Sequence, residues 1–369
     1  MPSSRQMAHP AYRRPARRIA AALGGVLAAF VVLTAGFGIA AAAPLDTTAP
    51  DTVAFTEAPR PAAAAAAAST VELASPVTAA AYVRPRTKDG PVPPNLRPTI
   101  AAAPKDYPRP YLDGCHVPLD GTRPTWACVY GNTTSRTTIM VFGDSHALSW
   151  FPAVLKLANH RGWRLVSLTM SACSPADIPE WIPATWSVSA SCSSWRTWAI
   201  GRIAKEKPLV LLVTGTRGFA TVDPDGTVLE GVARTLAWEA GMERTLDRVG
   251  RSAGRVIYLS DTPSSGVLPP ACLARNPGSV LACATPVGKA VSAAWMDEER
   301  HVAISEDAGY IDTTVWVCPS SPCPVTLGSL LIYRDGGHMT ATFMASLGSR
   351  LEAAVAADLA RHPPRRKAP

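Results

Sequence analysis

From Asp106 onward, short apolar runs alternate with amphipathic stretches, and this alternation constrains the fold more than any other feature of the chain. Thr137–Phe142 (TTIMVF), Arg164–Thr169, Leu209–Val213 (LVLLV), Val256–Ser260 and Tyr310–Asp312 read as strands. Ala147–Asn159, Trp195–Glu206, Val228–Val249, Ala284–Ile304 and Thr340–Leu359 read as helices between and after them. Strands separated by helices require right-handed crossovers, so the expected fold class is α/β, a three-layer, mainly parallel sheet with helices on both faces. Reactive groups of such a sheet belong at the C-terminal ends of its strands.

Four further segments are expected around this domain of residues 106–361. Residues 1–18 are basic and lack acids. Residues 19–43, IAAALGGVLAAFVVLTAGFGIAAAA, carry no charge. That order suits either an export signal or a membrane anchor. A cleaved signal has an apolar region of about 7 to 15 residues and a span needs about 20, so the run is long enough to stay as an anchor. The small residues before Pro44 also suit signal cleavage, and both readings stay open. Either one places the C-terminal bulk outside the cytoplasmic membrane, anchored by one helix or secreted. Residues 44–105 are rich in Pro, Ala and Thr and include the run Ala62–Ala68, the composition of a disordered linker. Residues 362–369 form a basic tail.

The net charge of +8 does not mark a nucleic-acid binder. Arg5, Arg13, Arg14, Arg17 and Arg18 precede the apolar run, while Arg361, Arg365, Arg366 and Lys367 close the chain. Without these ends the body is about neutral, which argues against a nucleic-acid partner.

Eight cysteines in an exported chain are expected to be oxidised. Spacing groups them as Cys115–Cys128, Cys173–Cys192, Cys272–Cys283 and Cys318–Cys323. Eight cysteines allow on the order of 100 pairings, so longer links are the alternative. With no CxxC and no histidine grouped with two cysteines, no metal and no cofactor is expected.

The first predicted strand runs into Gly143-Asp144-Ser145-His146-Ala147, with a helix starting at once. A serine at that turn has an exposed hydroxyl and a free N–H beside it, and Gly143 permits the tight turn. The plainer reading is that Asp144 or Ser145 only caps the helix. A nucleophilic serine needs a base, and seven histidines compete. His9 and His362 lie in the tails. His116 adjoins a cysteine, His160 ends a helix and His301 sits in a charged helical stretch. His338 has an acid in a glycine-rich turn, in Tyr333-Arg334-Asp335-Gly336-Gly337-His338. The three-residue spacing lets Asp335 reach one imidazole nitrogen and leave the other for Ser145. His146 adjoins Ser145, but as the next helical residue it is expected to point along the helix, and its loss to spare most of the chemistry.

These motifs together resemble the SGNH (GDSL-like) hydrolase superfamily, and specifically the exported SGNH domains fused behind multi-span membrane O-acyltransferases. The resemblance covers about Asp106 to Leu359. It rests on DYPRPYLDGC, GDSHA with Trp150 and Pro152, CSP at Cys173, DTP at Asp261, CPSSPC and YRDGGHMTATF. It implies a flavodoxin-like layer fold and a triad of Ser145, Asp335 and His338. No G-x-S-x-G elbow is present. The superfamily's G-x-N-D block is replaced after Leu209–Val213 by Thr214-Gly215-Thr216-Arg217-Gly218. Its second-block glycine is replaced by Ser171-Ala172-Cys173. Gly143, Thr214, Gly215 and Arg217 are therefore the candidates for oxyanion or substrate contacts beside the Ser145 N–H.

The resemblance further implies a serine acyl-transfer enzyme moving an O-acyl group, most simply acetyl, on an envelope polysaccharide or glycolipid. Release to water makes it an esterase, and release to a sugar hydroxyl an O-acetyltransferase. One apolar segment stands where the multi-span half is expected, so the reading includes a separate membrane acyltransferase partner or a stand-alone esterase. The competing class is an inactive glycan-binding or scaffold module, in which Trp181, Trp186, Trp195 and Trp198 stack on sugars instead of packing in the core.

Overall fold

In a computed structural model, residues 86–182 and 185–365 are described. Among them is one seven-stranded sheet. Its strands are β1 (His116–Val117), β2 (Val129–Gly131), β3 (Thr138–Gly143), β4 (Arg164–Met170), β7 (Val210–Thr214), β9 (Arg255–Leu259) and β10 (Gly309–Ile311). Two smaller sheets are made by β5 (Glu180–Ile182), β6 (Ser187–Val188) and β8 (Ala220–Thr221), and by β11 (Thr326–Leu327) and β12 (Leu330–Leu331). Five parallel strands stand in the order β4-β3-β7-β9-β10. The chain steps from β3 to one side and then crosses to the other, so its direction reverses between β4 and β7, about β3. That is the flavodoxin-like order, and ligands bind such sheets at the carboxyl ends beside the reversal. Gly143 and Thr214 are register partners there.

β3, β4, β7 and β9 are buried on both faces and alternate between two apolar layers. Ile139, Leu165, Val210, Leu212, Ile257 and Leu259 face the helices Phe151–Arg161 and Gly348–Arg361. Met140, Phe142, Leu168, Leu211, Val213 and Tyr258 face Ala190–Glu206, Gly231–Gly250 and Ala293–Ser305. All five expected strands are present within a residue or two. The first expected helix is divided at Trp150 into Ser145–Ser149 and Phe151–Arg161, with Pro152 in the opening turn of the second, where its missing N–H costs nothing.

The expected helix Ala284–Ile304 is instead Val287–Ala290 and Ala293–Ser305, because Thr285 bridges Cys323 and Val291 is extended, and the expected helix Thr340–Leu359 is divided at Leu347 into Ala341–Ser346 and Gly348–Arg361. The two- and three-residue strands β1 and β2 join β4 on one edge, one parallel and one antiparallel, and are too short to show a period. The expected linker 44–105 ends earlier, because residues 86–105 pack on the domain. Leu96 and Ala103 are buried. Arg86 and Arg97 bridge Ser321 and Leu330, and the Asp89 carboxylate accepts from Ser279 Oγ and Leu281 N. Proline-rich chain held by isolated bridges carries no helical or strand period. Residues 1–18, the apolar run 19–43, residues 44–85 and residues 366–369 of the basic tail lie outside the described residues. Among the described residues no helix is long and apolar enough to cross a membrane.

The cysteines pair by neighbourhood. Cys115–Cys128, Cys173–Cys192, Cys272–Cys283 and Cys318–Cys323 are bonded, with none free.

Candidate active site

The site forms where β3 meets its helix. Gly143 has φ +149°, and a Cβ there would lie 1.9 Å from the Thr214 carbonyl oxygen, so only glycine lets β3 and β7 close together at this point. Asp144 follows as helix cap, fully buried. Its Oδ1 accepts from His146 N at 2.7 Å and Ala147 N at 3.4 Å, and its Oδ2 accepts from Thr216 N at 2.7 Å. One carboxylate thus caps the helix and ties the two strand ends on either side of the reversal. Burial pushes its pKa up to about 6, against the pull of His146 and those N–H donors. The capping reading is therefore true of Asp144 and leaves Ser145 free, because the cap uses the N–H groups of His146 and Ala147.

The loop after β12 brings His338 to Ser145. His338 Nε2 lies 2.8 Å from Ser145 Oγ. Both Asp335 oxygens lie 3.0 Å from His338 Nδ1, and Asp335 Oδ1 also accepts from Gly337 N at 2.9 Å and His338 N at 2.7 Å. Burial raises the Asp335 pKa, but the His338 hydrogen bond and charge and the two backbone donors outweigh it, leaving Asp335 well below the usual carboxylate range. An ionised Asp335 favours the Nδ1–H tautomer, an arrangement in which Nε2 can accept a proton from Ser145 Oγ.

The other candidates are placed as follows. Thr214 ends β7, buried, with its hydroxyl unpaired. Gly215 packs on the Asp144 carboxylate and Pro175. Arg217 is buried, pairs with Glu298 and lies 4.0 Å over the Trp238 ring. At the second-block position Ala172 adopts a left-handed φ of +46°. His116 is buried and uses both nitrogens, on Thr169 Oγ1 and Ser171 Oγ. Burial pushes its pKa down to about 3, so it stays neutral. Trp195 is buried and stacks on Phe142, and Trp198 packs on the same layer. Trp186 is 82% exposed beside Trp181.

His146 does not simply follow the helix. Its Nδ1 lies 2.6 Å from Asp261 Oδ1, and its ring meets the His338 ring edge-on at 5.3 Å. The DTP at Asp261 stood in the sequence as part of a resemblance, with nothing to link it to a residue 115 positions away.

A serine, histidine and aspartate converging at the carboxyl edge of a parallel sheet define the class of serine acyl-transfer enzymes. The chain belongs to the family described as the SGNH domain (fused to AT3 domains), whose family model matches residues 114–353. It is thereby an SGNH-family esterase or O-acyltransferase. No curated protein matches the sequence. Among solved structures, it is similar to the periplasmic domain of a lipopolysaccharide acetyltransferase of Salmonella ser. Paratyphi A, with TM-score 0.49 and 15% identity over 60% of this chain and 84% of that one. It is also similar to a carbohydrate esterase family 2 enzyme of Corynascus thermopiles, with TM-score 0.37 and 16% identity over 61% of this chain and 67% of that one. An aryl esterase of M. Smegmatis gives TM-score 0.36 and 18% identity over 60% of this chain and 99% of that one.

Proposed function

We propose that the protein transfers or removes an O-acyl group, most simply acetyl, on a glycan of the cell envelope through an acyl-Ser145 intermediate. The 2.8 Å approach of His338 Nε2 to Ser145 Oγ, with Asp335 behind it, carries the reading. Ser145 Oγ attacks the acyl carbonyl while His338 Nε2 takes its proton, and Asp335 stabilises the resulting imidazolium. The Ser145 N–H, outside the Asp144 cap, serves the developing oxyanion. His338 returns the proton to the departing oxygen. Water then releases the acyl group as free acid, or a sugar hydroxyl accepts it. The basic residues before the uncharged run 19–43 support an extracytoplasmic site, anchored or secreted. The family's association with AT3 domains supports a multi-span membrane acyltransferase as donor partner, with an envelope polysaccharide or glycolipid as acceptor.

Labelling with a serine-directed fluorophosphonate tests the reading. The protein should label at Ser145, and Ser145→Ala should not label. An unlabelled protein would favour a binding module instead.

A further inference from the structure

Next to His146 lies a cavity of about 270 Å³ whose lining also includes Asp261, Thr262, Ser264, Lys289 and Trp295 and none of the triad. His146 joins it to the reacting serine, since its backbone follows Ser145 and its ring lies against His338. Asp261 occupies His146 Nδ1, and Thr262 N holds the same carboxylate oxygen at 2.7 Å. His146 Nε2 has no protein hydrogen-bond partner among the described residues. The Thr262 hydroxyl is also buried on the cavity wall without a partner. Two unmatched polar groups beside the Asp261 and Glu299 carboxyls and the Lys289 ammonium offer a sugar hydrogen-bond partners, and Trp295, Val291 and Met296 offer its ring an apolar face.

The charge on His146 fixes what its free nitrogen does. Burial pushes its pKa down, but Asp261, Asp144 and Asp335 pull it up to about 9. The ring is therefore cationic near neutrality, and Nε2 carries a hydrogen to donate.

We propose that this cavity is the acceptor subsite, and that His146 Nε2–H donates to a sugar hydroxyl oxygen neighbouring the one that attacks. The inference rests on the acyl-Ser145 reading. The attacking hydroxyl oxygen bonds to the acyl carbon and the Ser145 Oγ–carbon bond breaks. The hydroxyl proton passes by way of His338 Nε2 to Ser145 Oγ. His146 exchanges no proton. It holds the ring so that a sugar hydroxyl, rather than water, reaches the acyl carbon.

The test follows how the acyl-enzyme divides between two acceptors. The full chain is given p-nitrophenyl acetate with methyl glucoside, methyl galactoside, methyl mannoside or methyl N-acetylglucosaminide, and acetylated glycoside is measured against free acetate. The wild type should acetylate at least one glycoside. His146→Ala should lower the transfer-to-hydrolysis ratio about tenfold or more, with His146→Gln, which retains an N–H donor, falling between. Trp295→Ala changes the cavity away from Asp261 and should lower the ratio as well. Fluorophosphonate labelling of each variant reports that Ser145 is still folded and reactive. A wild type that hydrolyses but acetylates none of the glycosides overturns the inference, as does an unchanged ratio in labelled His146→Ala and Trp295→Ala. A wild type with no acetyl on Ser145 fails earlier, at the acyl-serine reading, and takes this inference with it.

Discussion

Two histidine–aspartate pairs flank Ser145, alike in wiring and different in reach. Each imidazole gives Nδ1 to a carboxylate and leaves Nε2 free of it. The His338–Asp335 pair is built within one turn, and its aspartate side chain is 41% exposed. The His146–Asp261 pair is assembled from the ends of β3 and β9, with side chains only 12% and 19% exposed. Only His338 meets the serine hydroxyl. A carboxylate behind an imidazole is therefore not what makes a base. The direction of Nε2 decides.

The largest effect should separate the pairs by chemistry. His338→Ala should lower hydrolysis of p-nitrophenyl acetate about 10³- to 10⁴-fold, because a serine without its base is a poor nucleophile. Asp335→Asn should cost less than that, through the wrong tautomer. His146→Ala should cost less than either. A larger loss for His146→Ala than for His338→Ala in steady-state rates would mean that the wrong pair has been taken as the base.

The next effect tests what holds both histidines beside one serine. Gly143→Ala would place a methyl 1.9 Å from the Thr214 oxygen at φ +149°, forcing β3 from β7. It should lower stability by about 3 kcal/mol or more, seen as lost soluble yield or a collapsed Tm. Gly337, between the pairs, is the contrast. A Cβ there first meets His146 Nε2 at 3.8 Å, an ordinary contact, so Gly337→Ala should fold normally. Equal melting of the two variants would show that the close approach of the strands is not what positions Ser145.

The difference between the pairs also explains what was legible beforehand. The five parallel strands announce themselves through apolar runs of three to seven residues, and their helices through amphipathic stretches between them. Asp335 and His338 share a turn, so their contact is local and can be read from spacing. Cysteine neighbours likewise close short loops, of 5 to 19 residues. The hidden contacts are those between distant strand ends, such as Asp261 on His146 and the Asp144 carboxylate on Thr216 N. They follow from strand order and register, which alternating apolar runs do not specify. The same holds for β1, β2 and residues 86–105, whose pairing is too short or irregular to leave a period.

The smallest effect distinguishes the pairs by pH. His146 titrates near 6.5 when unfolded and about 9 when folded. A raised histidine adds stability that is complete below the unfolded value and is lost as pH rises through the folded one. Asp335 is depressed, so its contribution is present above its unfolded value near 4 and is lost as pH falls below it. The inner pair should therefore weaken on the alkaline side and the outer pair on the acid side. From pH 6.5 to 9 the wild type should lose about 2 kcal/mol through His146, a Tm decrease of several degrees. His146→Gln should flatten that fall without removing it, because burial has also raised Glu180 to about 8 despite Arg196, and a carboxyl that stays protonated in the fold costs stability as pH rises from its unfolded value to about 8. Thermal melts at half-unit pH steps would show it. An equal alkaline decline in wild type and His146→Gln would mean that His146 is uncharged in the folded protein, and its Nε2 would then be an acceptor facing the cavity rather than a donor.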